Sequence, residues 1–208
     1  MYYGEKFNSI TSLVGAVLAL MGFGALLAVG IMLKEPLVIV SFFIYGFTLI
    51  LLYVISTLYH SFRPPKFKKL FQKFDHIVIY ILIAGTYTPY MLVSLGEGNG
   101  PLLLVFVWAL AVLGILLEIV IPNRIEWMQI IIYLVMGWVC LIEFSNLQTA
   151  LPLWGIVWLI VGGIAYTTGV ILYTLDGMNK LRHAHGIWHI FVLAGSVSHF
   201  ISIIAYVR

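Results

Sequence analysis

Two pairs of residues in this chain have the types and spacing for metal chemistry. His185 and His189 stand four apart, and so do Ser56 and His60. On a helix, residues at i and i+4 share one face. The first pair therefore offers two imidazoles to one ion, and the second offers one imidazole with a hydroxyl a turn away. Asp75 follows as a carboxylate at the head of the next apolar run. Three neutral histidines with an open fourth position and a nearby carboxylate suit a catalytic zinc. Such a set leaves the ion's charge free to bring the pKa of a bound water to about 7. In that arrangement Asp75 orients the water and takes its proton. Ser56 donates to the water or to the oxygen of a polarised carbonyl. The same residues also have plainer uses. The histidines can bond lipid headgroups, Ser56 can bond the carbonyl of residue 52, and Asp75 can cap the third helix.

The elements that position these groups must lie in lipid. The 208-residue chain is 62% hydrophobic and 9% charged, with a mean hydropathy of +1.09. A soluble domain carries about a quarter charged residues. Runs of about 20 apolar residues span the hydrocarbon layer as helices. Seven such runs fill the sequence, at about 10–33, 37–62, 76–95, 102–121, 127–144, 152–175 and 185–206. This predicts an all-α integral membrane protein, a seven-helix bundle forming a single domain over 1–208. The first residues show no cleavage site behind a short apolar core, so no cleaved signal peptide is expected. The single cysteine, Cys140, excludes an internal disulfide framework and is expected to pack as a small apolar residue.

Charge sets the expected orientation. Nine of the eleven Lys and Arg residues fall on one side of a seven-span chain: Lys6, Arg63, Lys66, Lys68, Lys69, Lys73, Arg124, Lys180 and Arg182. Lys34 and Arg208 fall on the other. The N-terminus is therefore expected in the cytoplasm. The second span ends, and the third and seventh begin, at that side. Ser56, His60, Asp75, His185 and His189 thus meet near the inner leaflet, with Ser56 and His189 about 5–6 Å further in.

Other groups are given simpler roles. The Arg63–Lys73 run reads as a loop that sets orientation and meets anionic headgroups, not nucleic acid. His76 and His183 are expected at the solvated interface, and Glu118 and Glu143 are expected to reach it. Trp127 and Trp154 suit interfacial belts. His199 lies about 15 Å beyond His189 and is expected to bond within the bundle. Pro89 predicts a kink, with the neighbouring threonine hydroxyls available to the freed carbonyl.

Tyr59-His60-Ser61, Asp75-His76 with Gly85-Thr86-Tyr87-Thr88-Pro89, and His185-Gly186-Ile187-Trp188-His189 together resemble the signature of the progestin and adipoQ receptor/hemolysin III family. The match is to its bacterial hemolysin III branch and covers nearly the whole chain. The resemblance implies a seven-helix bundle with zinc on His60, His185 and His189 near the cytoplasmic face, and with Asp75 and Ser56 around the zinc water. The wider superfamily includes alkaline ceramidases, which implies hydrolysis of a lipid amide or ester and a part in membrane lipid homeostasis. The alternatives are a pore-forming cytolysin and a membrane sensor with structural zinc. The expected setting is the bacterial plasma membrane, with membrane lipids as partners; the oligomeric state is left open.

Overall fold

The structure, a computed structural model, describes residues 3–121, 126–177 and 184–208. Among them are seven helical spans long and apolar enough to cross a membrane. Helix α1 is Lys6–Leu33, preceded by a single 3₁₀ turn, Tyr3–Glu5. Its last carbonyls are closed by Lys34 in the left-handed region (φ 59°), the only non-glycine residue with positive φ among those described. Pro36 then starts α2, Pro36–Ser61, at the position where a missing N–H costs nothing.

Helix α3 is Pro65–Pro89 and corrects the expected third span. The segment after Arg63 is not a loop: it is helical from Pro65, so Asp75 lies ten residues inside α3 and caps nothing. Pro89 ends the regular helix, and Tyr90–Ser94 continue as a π-helical turn in which Leu95 N–H bonds Tyr90 O. The threonines do not take the carbonyl that Pro89 frees, which is that of Gly85. Thr86 Oγ1 bonds Leu82 O at 2.8 Å and Thr88 Oγ1 bonds Ala84 O at 3.0 Å.

Helix α4 is Gly100–Val120 and α5 is Glu126–Trp138. A 3₁₀ stretch, Val139–Glu143, joins α5 to α6, Phe144–Ala150. The uncharged segment 145–151, expected as a loop, is therefore mostly helix and completes the fifth span. Helices α7, Leu153–Gly177, and α8, Ala184–Tyr206, are the sixth and seventh.

The spans pack as a ring. Each of α1 to α4 lies against the next, α7 lies along α8, and α8 closes back on α1. Helix α1 is thus the element between α2 and α8. Close approach there relies on glycine: a Cβ on Gly15 would stand 2.3 Å from the Tyr53 ring, and one on Gly22 2.9 Å from Phe200. The polarity is that of a protein in lipid. Ser9, Ser12, Ser41, Ser56 and Ser202 are buried, while Met32, Leu102, Val120 and Leu153 face outward.

Candidate metal centre

Helix α8 carries His185 and His189 on one face, with ring centroids 5.0 Å apart. The end of α2 brings in His60, at 5.1 Å from His185 and 4.9 Å from His189. One nitrogen from each ring can be chosen so that all three lie within 4.8 Å of one another. His60 and His189 are buried, and their Nε2 atoms are 3.1 Å apart. Two imidazole lone pairs repel at that distance unless a proton or a cation stands between them. With zinc–nitrogen bonds of about 2.0–2.1 Å, tetrahedral ligands sit about 3.3–3.4 Å apart. The His60–His189 spacing and the all-nitrogen donor set of the three rings therefore suit an ion of this size.

The outer nitrogens of two of these rings are held by the N-terminal segment, one by the turn before α1 and one by α1 itself. His60 Nδ1 lies 2.8 Å from Glu5 Oε2. Glu5 also accepts from Lys68 Nζ at 2.7 Å and from Asn8 Nδ2 at 2.8 Å. Burial opposes ionisation of the Glu5 carboxyl. The hydrogen bonds from His60, Lys68 and Asn8 outweigh it and hold the group well below the usual carboxylate range. His189 Nδ1 meets Ser12 Oγ at 3.4 Å, and Ser12 Oγ meets Ser56 Oγ at 3.2 Å. If His189 ligates through Nε2, its Nδ1–H must donate to Ser12. Ser12 keeps its own proton and a second lone pair, so it either donates to Ser56, leaving the Ser56 proton to point elsewhere, or accepts from it.

Ser56, Asp75, His185 and His189 line one cavity of about 200 Å³. It runs inward between α2, α3, α5, α7 and α8 to Thr86, Tyr166 and His199. Aromatic packing braces the histidine-bearing helix: Trp188 lies 5.3 Å from Tyr173 and 5.1 Å from His185, centroid to centroid.

The sequence-predicted site residues are thus brought to one end of the bundle, the histidines in contact and Asp75 and Ser56 on the shared cavity wall. Other expectations need correction. His76 is buried rather than solvated, with Nδ1 3.1 Å from Glu118 Oε1. Glu118 is mostly covered, its side chain 8% exposed; it pairs with His76 and accepts from Gln129. Glu143 is buried and bonded by Asn146. Lys68 does not belong to a lipid-facing loop: it bonds Glu5 and stands over the Tyr59 ring at 5.2 Å. His199, by contrast, bonds Leu159 O at 3.1 Å, within the bundle as expected. His183 lies outside the described residues.

Glu5, Asn8 and Ser12 were not anticipated. A signal for them exists: with Ser9 they form a polar stripe at i, i+3, i+4 and i+7 at the head of an apolar helix.

Fold and site together define a multi-pass membrane protein whose seven spans gather three histidines at one end. The chain belongs to the haemolysin-III related family, whose profile matches residues 2–200. It is 38% identical over 203 residues to Hemolysin-3 of Bacillus cereus, covering 98% of this chain and 91% of that protein. It is 39% identical over 202 residues to the Hemolysin-3 homolog of Bacillus subtilis strain 168, covering 97% and 93%. The human Monocyte to macrophage differentiation factor is 29% identical over 175 residues, covering 80% of this chain and 70% of that protein.

Proposed function

We propose that this protein is a zinc-dependent hydrolase of a lipid amide or ester, acting at the inner leaflet and so on membrane lipid composition. The carrying observation is one cavity whose wall includes His185, His189, Asp75 and Ser56 and which continues inward among mainly apolar residues. A polar end beside an apolar channel suits a substrate with a carbonyl at the head of an acyl chain.

His60, His185 and His189 are the residues to hold the ion. Bound there, zinc supplies Lewis acidity, lowering the pKa of water and polarising a carbonyl. Asp75, a buried carboxylate on the wall of the same cavity, would accept the proton of the attacking water and return it to the leaving group. Where Ser12 donates to it, Ser56 keeps its own proton for the developing oxyanion. Tyr59 and Ile79 complete the wall nearby and narrow the space left for water.

The test is Asp75→Asn. The amide keeps the size and the hydrogen-bonding capacity of the side chain but cannot serve as the base. Purified protein should keep its zinc and fold while lipid amide or ester hydrolysis falls about 10²-fold or more. Wild-type turnover in Asp75→Asn at equal zinc content would leave the ion a structural role and this reading without its base.

A further inference from the structure

We infer that Glu5 is the positioning residue of the metal centre, its carboxylate fixing His60 with the proton on Nδ1 and Nε2 turned to the metal. The inference rests on the metal reading above and adds a residue to it.

Three observations carry it. First, Glu5 Oε2 is 2.8 Å from His60 Nδ1. That nitrogen is on the far side of the ring from the Nε2 that meets His189 at 3.1 Å. A carboxylate accepts only, so Nδ1 is the protonated nitrogen and Nε2 keeps its lone pair. Carboxylates placed this way orient a ligating imidazole and raise its basicity. Second, Glu5 is itself held from two further elements. Asn8 on α1 reaches its Oε2 at 2.8 Å, and Lys68 on α3 reaches its Oε1 at 2.7 Å. Its side chain is only 21% exposed, so these bonds compete with little water. Third, the start of α1 is seated against the metal-binding helix at a position cut for it. A Cβ on Gly186, between His185 and His189, would stand 2.1 Å from Phe7 Cδ1 and 3.0 Å from Asn8 Oδ1. The glycine in that motif is the space the residues after Glu5 occupy. The N-terminal segment thus serves the site rather than merely leading into a span.

The experiment measures zinc affinity by chelator competition on detergent-purified full-length protein, with melting temperatures taken with and without zinc. Wild type should bind one zinc per chain. Glu5→Ala should bind about 10- to 100-fold more weakly, with a smaller zinc-induced gain in melting temperature. Glu5→Gln keeps an acceptor for Nδ1–H without the charge, so its affinity should fall between the two. Glu5→Gln also decides the matter if Glu5→Ala does not fold. Wild-type affinity in the variant that folds would overturn the inference while leaving the zinc site standing. A lowered zinc-free melting temperature with unchanged affinity would make Glu5 a structural residue and overturn it equally. A wild-type protein that binds no zinc would bring down the metal reading, and this inference with it.

Discussion

His189 and His199 lie on one helix ten residues apart, both buried, and only one of them faces other histidines. His189 contributes a nitrogen to the three-ring cluster. His199 is engaged by a backbone carbonyl of α7. Their alanine variants should therefore separate cleanly. His189→Ala leaves two imidazoles, and stoichiometric zinc should be lost from purified protein. His199→Ala should keep full zinc content and lose about 0.5–1.5 kcal/mol of stability with its bond to the Leu159 carbonyl, which keeps its partner within α7. Metal analysis of the two variants side by side checks this; zinc retained in His189→Ala would show that the ligand set is wrong. The residue-level reading of the sequence reached the three clustered histidines because an i, i+4 pair and a histidine at a span end stand out against 62% hydrophobic composition. It missed Glu5 because the contact with His60 spans 55 residues of sequence. It misjudged His76 and Glu118 for a related reason. Each looks solvated alone, and the two satisfy each other only when α3 and α4 pack.

At the scale of the helix, α1 shows what small residues do. Gly15 is filled by the Tyr53 ring of α2, and the Tyr53 hydroxyl bonds Ser196 on α8, which also meets Tyr166 of α7. Gly24, on the same helix, has nothing within 4 Å of an added Cβ. Alanine gains up to about 1 kcal/mol over glycine within a helix. Overpacking a filled contact costs about 1–3 kcal/mol. Gly15→Ala should thus be net destabilising by about 1–2 kcal/mol, and Gly24→Ala neutral or slightly stabilising. Parallel thermal unfolding in detergent checks the pair; equal melting temperatures would mean that the α1–α2 contact is not packed this tightly. The number of spans was legible because each is an apolar run bounded by Pro, Gly or charge. The start of α3 was not: Phe67, Leu70, Phe71 and Phe74 are interleaved with lysines, so an amphipathic helical lead-in read as a cationic loop. The break at Val139–Glu143 was hidden for the opposite reason, since its only charge, Glu143, is buried.

For the whole molecule, the open question with the largest functional consequence is which end faces the cytoplasm. Contacts place the start of α1, the end of α2 and the start of α3 together, since Glu5 touches both His60 and Lys68. The start of α8 joins them through His189. The histidine cluster therefore shares its end of the bundle with Lys6, Arg63, Lys66, Lys68, Lys69 and Lys73, whereas the α1–α2 turn at the other end carries Lys34. Cationic segments are retained on the cytoplasmic side during insertion, and acidic residues such as Glu5 offset this little. We predict that the N-terminus and the cluster face the cytoplasm and that the C-terminus, after an odd number of spans, faces outward. A reporter active only in the cytoplasm should work when fused before the first residue and fail when fused after Arg208; a reporter active only outside should do the reverse. The inverted pattern would move the cluster to the outer leaflet, so that any lipid substrate would have to come from there. Two termini on one side would break the seven-span path itself, because α8 could not then bring His185 and His189 to the end where α2 delivers His60.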